Sequence, residues 1–206
     1  MLGCLLEKQQ ATPDYYPLTL NALVAACNQR SNRNPVLRLS ERDVAQALER
    51  LAKERLVTRD DSGRATRWRQ HADRRWGLDP AGRAVLTVLL LRGPQTAGEV
   101  RARAARLHEF ASTSEAEAAL ADLAAPPDPM GSLLERDPGQ KEPRWGHRVG
   151  MDMDEAVQAA VNAPAPDTAA PDTPAPDARN MKLEPPASVP EDSIAPMESE
   201  PGVTGE

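Results

Sequence analysis

The chain has 206 residues, a formal net charge of −6 at pH 7 and only 3% aromatic residues, and its length suits one or two domains of the common size, roughly 100–150 residues. No apolar run is long enough to cross a membrane, no Gly-rich phosphate loop is present, and no histidine has Cys or carboxylate neighbours at metal-ligand spacing. The sequence therefore predicts a cytoplasmic protein that is not an enzyme, needs no metal or cofactor, and keeps Cys4 and Cys27 as reduced, buried thiols.

Residues 151–206 differ in composition from the rest of the chain. They contain twelve Asp and Glu, two basic residues, ten of the twenty prolines and no aromatic residue. Such a segment has too little apolar surface to offset the conformational entropy lost on ordering, so we expect a disordered acidic tail. Without it, 23 Lys and Arg stand against 19 Asp and Glu, a net charge of +4; residues 1–76 carry +5 (14 against 9) and residues 77–150 carry −1 (9 against 10).

The remaining body repeats itself. The stretch "LVTRDDSGRATRW" aligns with "LLERDPGQKEPRW" without a gap, which places Trp68 on Trp145 at an offset of 77. The same offset carries Thr19 onto Thr96, whereas "ALERLA" meets "ALADLA" at an offset of 72, the difference lying in a longer Pro-rich loop. Because the three blocks keep their order, the sequence predicts two copies of one unit.

The first copy begins with two predicted helices. An apolar stripe over 2–6 predicts the first, and the apolar pattern over 18–27 predicts the second, with Thr19 as its cap. A short apolar segment over 36–39 predicts a strand.

The third helix of the first copy is predicted to open at Ser40, which suits a capping box with Asp43. Val44 and Leu48 then fall on its inward face. A hairpin over 56–69 follows it.

The second copy repeats this order, and the winged-helix fold follows from it. Its signals are Asp79 followed by Pro80, a capping box of Thr96 and Glu99, a third helix opened by Ser112 or Ser114, and a hairpin over 133–147. Three helices with a small strand before the third and a two-stranded ribbon after it are typical of the winged-helix variant of the helix-turn-helix. We expect a mainly α fold with small β-hairpin wings (α+β), in which two tandem winged-helix units over 1–72 and 77–150 precede the tail at 151–206.

The first hairpin carries or adjoins four arginines: Arg59, Arg64, Arg67 and Arg69. Alternation along the strand puts Arg67 and Arg69 on the solvent face and Trp68 on the inward face. Guanidinium groups fork onto phosphate oxygens, so the hairpin is a candidate site for double-stranded DNA. The alternative is that the arginines only solvate an edge hairpin and pair with Asp60 and Asp61.

The third helix of the first copy presents an outward row of Arg42, Gln46 and Arg50. Arg can fork onto guanine and Gln onto adenine in a major groove, although an ordinary solvated helix face explains the row equally well. The matching helix of the second copy is expected to expose Glu115, Glu117 and Asp122, which phosphates would repel. The two copies are therefore not expected to do the same job.

The segment "CNQRSNR", residues 27–33, allows two interpretations. Asn28 and Asn32 suit a helix end, while Arg30 and Arg33 add positive charge. We favour local capping by the amides over a recognition loop.

The stretches "LGCLLEK", "YPLTLNALVAACNQRSNRNPV" and "LLLRGPQTAGEVRARAARLHEF", together with the "PGQKEPRWGH" hairpin, resemble the YceH-like family of bacterial proteins. The resemblance covers Met1 to about Val149. It implies a tandem winged-helix fold, a cytoplasmic bacterial setting and a family without an assigned biochemical function, and it supplies no catalytic residue. Members of that family begin a turn or two earlier, so we expect the first helix to be truncated at its amino terminus.

Together these patterns favour a DNA-binding, transcription-regulatory protein whose first copy contacts duplex phosphates. The alternative is a protein-interaction scaffold that uses its winged-helix units for docking or dimerisation, with the second copy as the surface for a homodimer or a protein partner. Winged helices serve both purposes, and the fold alone does not choose between them.

Overall fold

A computed structural model describes residues 1–136 and 138–150; Asp137 and the tail predicted at 151–206 lie outside the described residues. The helices are α1 (Leu2–Ala11), α2 (Leu20–Cys27), α3 (Glu41–Lys53), α4 (Ala72–Arg75), α5 (Pro80–Arg92), α6 (Ala97–Ala104) and α7 (Thr113–Leu123). The strands are β1 (Leu18–Thr19), β2 (Val57–Asp60), β3 (Arg67–Gln70), β4 (Gly131–Leu133) and β5 (Trp145–His147). The fold is thus mixed α+β, with small antiparallel sheets. No helix in the described part of the chain has the length and apolar character needed to span a bilayer.

The first copy contains a three-stranded antiparallel sheet in the order β1-β3-β2. Leu18 and Arg59 both lie opposite Trp68, one on each side of β3. The strand predicted over 36–39 is wrong. Because β1 occupies one edge of β3 and β2 the other, no edge of β3 is left for residues 36–39.

The loop between α2 and α3 is held by a side chain instead of by strand pairing. Asn28 donates from Nδ2 to the Leu39 carbonyl at 2.8 Å and accepts from the Leu39 N–H at 2.7 Å. Val36 and Leu37 stay exposed. Asn28 does end α2, as predicted, but its amide binds the backbone of Leu39, eleven positions away, instead of capping its own helix.

The helix starts of the first copy agree with the sequence. The Thr19 hydroxyl accepts from the Ala22 N–H at 3.3 Å. Ser40 and Asp43 form both hydrogen bonds of a capping box. Because these signals involve residues three apart, local sequence is enough to place the start of each helix.

The second copy starts its helices in the same way. Asp79 accepts from the Gly82 N–H at 2.6 Å ahead of Pro80, and Thr96 and Glu99 form a capping box. Of the two candidate caps of α7, Ser112 is the one used.

The offset of 77 reappears in the sheets. Leu18 pairs with Trp68 in the first copy, and an isolated bridge joins Gln95 to Trp145 in the second. The gapless alignment of the two hairpins is wrong for β4, the first strand of the second hairpin. Arg59 lies opposite Trp68, so a gapless match places Arg136 opposite Trp145, but Leu133 lies there. The second hairpin therefore has a longer turn, and pairing starts earlier in the chain.

The two copies pack against each other through α1 and α5. Leu2 and Leu6 of α1 form a buried cluster with Leu56 and Ala72, against which Leu90 of α5 packs. A Cβ atom added at Gly3 would lie 2.9 Å from the Leu90 Cβ, so the glycine permits the close approach of the two helices. The connector α4 contributes Ala72 to this cluster, which ties the two copies into one compact body.

Candidate nucleic-acid interface

The seven residues predicted to contact DNA are all exposed and belong to α3 or the β2–β3 hairpin and its turn. They are Arg42, Gln46, Arg50, Arg59, Arg64, Arg67 and Arg69. The structure therefore brings them onto two elements that adjoin in the chain and in space, since α3 packs against β2.

The α3 row is set by which face of the helix is buried. Val44 and Leu48 are fully buried in the core of the first copy, so Arg42, Gln46 and Arg50 point outward. Within the described residues these three side chains form no hydrogen bond or ion pair. They are available to a ligand without any internal contact being broken.

The tip of the first hairpin is organised by its own carboxylates. Asp61 accepts from the Thr66 hydroxyl at 2.6 Å and pairs with Arg59 at 2.9 Å. These two contacts hold the pKa of Asp61 below its usual range. Arg59 is thus already balanced by a carboxylate, as the edge-hairpin alternative predicts, and it is the weakest of the seven candidates.

The other hairpin arginines use few of their N–H donors in contacts within the protein. Arg67 donates one N–H from Nη1 to the Pro17 carbonyl at 2.9 Å, and the Arg69 guanidinium lies 5.8 Å from the centre of the Tyr16 ring. Both contacts fix the direction of the side chain without neutralising its charge. Arg64, at the turn, has no hydrogen-bond or ion-pair partner among the described residues.

The second copy has an arginine at the position equivalent to Arg67, and it is neutralised. Arg144 donates to the Pro94 carbonyl at 3.1 Å, as Arg67 does to Pro17, and it also pairs with Glu99 at 2.9 Å. The residue at the Glu99 position of the first copy is Ala22. The same framework contact therefore presents an arginine without an ion pair in one copy, although Asp60 opposite it on β2 interacts with its charge, and an ion pair in the other.

The third helix of the second copy is acidic on its outer face, as predicted. Glu117 and Asp122 are exposed. Glu115 is exposed too, but its carboxylate accepts from the Ala111 N–H at 2.6 Å, so it also holds the start of α7. This helix has no counterpart of the α3 row.

The "CNQRSNR" segment is structural, and of its two arginines only Arg30 adds an exposed positive charge. The Arg33 side chain is buried and forks onto Glu7 of α1, with Nη2 at 2.7 Å from Oε2 and Nη1 at 3.1 Å from Oε1. Asn32 donates to Glu7 and accepts from Arg92 of α5 at 2.8 Å. Sequence reasoning missed Glu7 and Arg92, because their partners are 25 or more residues away. The one available sign of a buried ion pair was Glu7 itself, a lone glutamate in the apolar stretch "LGCLLEK".

Arg38 is a further exposed cation that the sequence analysis did not single out. It lines a groove with Arg30, Val36, Leu37 and Ser40, the cap of α3. The loop before α3 therefore adds two exposed cations, Arg30 and Arg38, next to the start of α3.

Comparisons with known proteins place the chain in a family. Residues 1–140 match the model described as "Protein of unknown function, DUF480". A UPF0502 protein of Geobacter sulfurreducens is 46% identical over 165 residues, which cover 80% of this chain and 75% of that protein. A UPF0502 protein of Chromobacterium violaceum is 48% identical over 149 residues, covering 71% and 68% respectively. The chain belongs to the DUF480/UPF0502 family.

This result confirms the expectation of an uncharacterised bacterial family. It does not bear on the YceH-like name or on the winged-helix description. The families' names assign no ligand, so any function for this chain rests on the site itself.

Proposed function

We propose that the first copy is a winged helix that binds duplex DNA through α3 and the β2–β3 hairpin, without catalysis. The element order α1-β1-α2-α3-β2-β3, with sheet order β1-β3-β2, supports the fold assignment. In this arrangement α3 would enter a groove, while the hairpin would lie along the neighbouring phosphate backbone.

The observation that carries the proposal is that equivalent arginines of the two hairpins differ in their ion pairing. Arg67 and Arg144 share one backbone contact, but only Arg144 is paired with a carboxylate. The first copy also exposes Arg69, where the second copy has Gly146, and residues 1–76 carry a net +5. A free guanidinium row next to an exposed helix face suits a polyanion.

A salt titration of DNA affinity tests the proposal on the full chain. The Arg64→Ala, Arg69→Ala double variant should weaken binding to any duplex and flatten log affinity against log salt by roughly 0.9 per lost phosphate contact. Arg67 is left intact in this variant because its contact with Pro17 also supports the sheet.

A matched control uses the second hairpin. Arg136 and Lys141 are also exposed, so the Arg136→Ala, Lys141→Ala variant removes the same charge from the molecule. It should leave affinity and salt slope nearly unchanged. Equal effects of the two double variants, or no salt-dependent binding by the wild-type chain, would show that the first hairpin is not a DNA contact.

The acidic face of α7 favours a second candidate function, a protein-interaction surface on the second copy. Glu117 and Asp122 are exposed on the second copy, whose net charge over residues 77–150 is −1. This charge suits a homodimer or a basic protein partner better than DNA. Light scattering on the full chain over a wide concentration range tests the homodimer. A constant monomer mass would leave only a different protein as partner.

A further inference from the structure

The two cysteines of the chain lie together in the core of the first copy. Cys4 is on α1 and Cys27 is the last residue of α2, and each is only 3% exposed. They belong to one buried cluster, and the Cys4 Sγ lies 3.7 Å from the carbonyl oxygen of Ala26, the residue before Cys27. Cysteines 23 positions apart in the sequence are therefore neighbours in the fold.

A positive group lies beside this thiol pair. The Ala26 carbonyl accepts from the Cys4 thiol, with Sγ at 3.7 Å, and from Arg33 Nε at 3.1 Å and Nη2 at 2.7 Å. Cys4 and the buried guanidinium thus converge on one oxygen atom. Arg33 is itself held by Glu7, so its position is fixed.

We propose that Cys4 and Cys27 form a redox-active pair that a small peroxide converts to an intramolecular disulfide, with Cys4 as the attacking sulfur.

The surroundings explain why Cys4 would attack. The neighbouring Cys27 thiol, acting as a hydrogen-bond donor, lowers the pKa of Cys4 against the opposing effect of burial, and the charge of Arg33 lowers it further. Because the thiolate is the nucleophile and Arg33 shares the Ala26 carbonyl with the Cys4 thiol, Cys4 is the sulfur placed to attack.

The chemistry balances with hydrogen peroxide as the oxidant. The Cys4 thiolate attacks one peroxide oxygen, the O–O bond breaks, and the leaving hydroxide takes a proton to become water, which gives a sulfenic acid on Cys4. Cys27 then attacks the Cys4 sulfur, an S–S bond forms, and the second water leaves. Two thiols and one peroxide yield one disulfide and two waters. A small oxidant is needed, since both thiols are buried.

Thiol counting on the full chain tests the proposal. The protein is treated with hydrogen peroxide under native conditions, quenched with catalase, denatured and alkylated, and the free thiols are counted by mass spectrometry. Because the chain has two cysteines, loss of both thiols in a monomer identifies the pair, and a thiol reductant should restore both. The oxidised chain should also melt at a higher temperature, since the bond joins α1 to α2.

Single variants separate the two roles. In Cys27→Ser, Cys4 should stop at the sulfenic acid and react with dimedone; in Cys4→Ser, the remaining thiol should be lost more than tenfold more slowly. Thermal melts of both variants confirm that they fold. Equal rates in the two variants, disulfides found only between molecules, or two free thiols persisting in the native wild-type chain would each overturn the proposal.

Discussion

The two copies stabilise equivalent parts of their cores by different means. In the first copy, Glu7 and Arg33 form a buried ion pair between α1 and the segment after α2. In the second copy, the offset of 77 places Ala84 at the position of Glu7. The same offset places Phe110 at the position of Arg33. Both belong to an apolar cluster. The same fold therefore accepts either an ion pair or apolar residues at these core positions. In the first copy, the ion pair brings Arg33 beside Cys4.

The contrast between the two cores shows that the first copy keeps a buried ion pair where apolar residues would also be stable. A buried ion pair contributes little more than well-packed apolar residues would, because desolvation offsets the attraction. Its presence in the first copy alone, next to the thiol pair, is consistent with a chemical role. The second copy has an apolar core at these positions and an ion-paired Arg144.

The largest expected effect comes from breaking the ion pair on one side. Glu7→Ala should lower the free energy of unfolding by roughly 3–5 kcal/mol, because Arg33 stays buried without its carboxylate. The double variant Glu7→Ala, Arg33→Phe, which copies the residues of the second copy, should recover more than half of that loss. Urea unfolding measures both. A single-variant loss under about 1 kcal/mol would mean that water replaces the carboxylate, and the contrast between the cores would lose its meaning.

A second comparison uses the tryptophans at equivalent strand positions. Trp145 is 8% exposed in the core of the second copy, whereas Trp68 is only partly buried against the first. Trp145→Ala should cost roughly 3–5 kcal/mol and Trp68→Ala about half as much, in proportion to the apolar area removed from water. Urea unfolding of both variants decides; equal losses would show that the two hairpins are equally anchored.

Local signals in the sequence were enough for the helix starts and the repeat. Thr19, Ser40 and Thr96 cap their helices because the partner of each lies three residues away. Alternation likewise placed Arg67 and Arg69 outside, because neighbouring side chains of a strand point to opposite faces.

Contacts distant in sequence could not be predicted in this way. The second partner of β3, beside the predicted β2, is the two-residue strand β1 some fifty positions earlier, and a segment so short has no periodicity of its own. The burial of Arg33 depends on Glu7, 26 residues before it. For the candidate interface, the sequence identified the exposed arginines, but not that Arg59 is paired with Asp61 while Arg67 is left with its charge.

A smaller effect distinguishes the α1–α5 contact between the copies from the start of α6. A Cβ at Gly3 would lie 2.9 Å from the Leu90 Cβ, whereas the nearest atom to a Cβ at Gly98 is 3.9 Å away. Gly98→Ala should raise stability by about 0.5–1 kcal/mol through helix propensity. Gly3→Ala gains the same propensity but overpacks the α1–α5 contact, for a net loss of about 1 kcal/mol. Thermal unfolding gives both signs; a stabilised Gly3→Ala would mean that α1 and α5 can move apart freely.

The smallest change in stability gives the sharpest test of the contrast between the hairpins. Ala22 is exposed and occupies the position of Glu99, so Ala22→Glu places a carboxylate near Arg67 as Glu99 stands near Arg144. It should also complete a capping box with Thr19, as Glu99 does with Thr96. We expect a stability gain of about 0.5 kcal/mol from the cap and the exposed ion pair together.

The same variant should weaken DNA binding if Arg67 contacts a phosphate, because its charge is then neutralised as that of Arg144 is. The salt slope should fall by about 0.9, the value for one phosphate contact. Ala22→Gln is the matched control: its amide can complete the capping box, but it leaves the charge of Arg67 unpaired, so affinity should stay at the wild-type level. A stability gain in both variants without any loss of affinity in Ala22→Glu would confine Arg67 to its structural contact with Pro17 and leave Arg64, Arg69 and the α3 row to carry the interface.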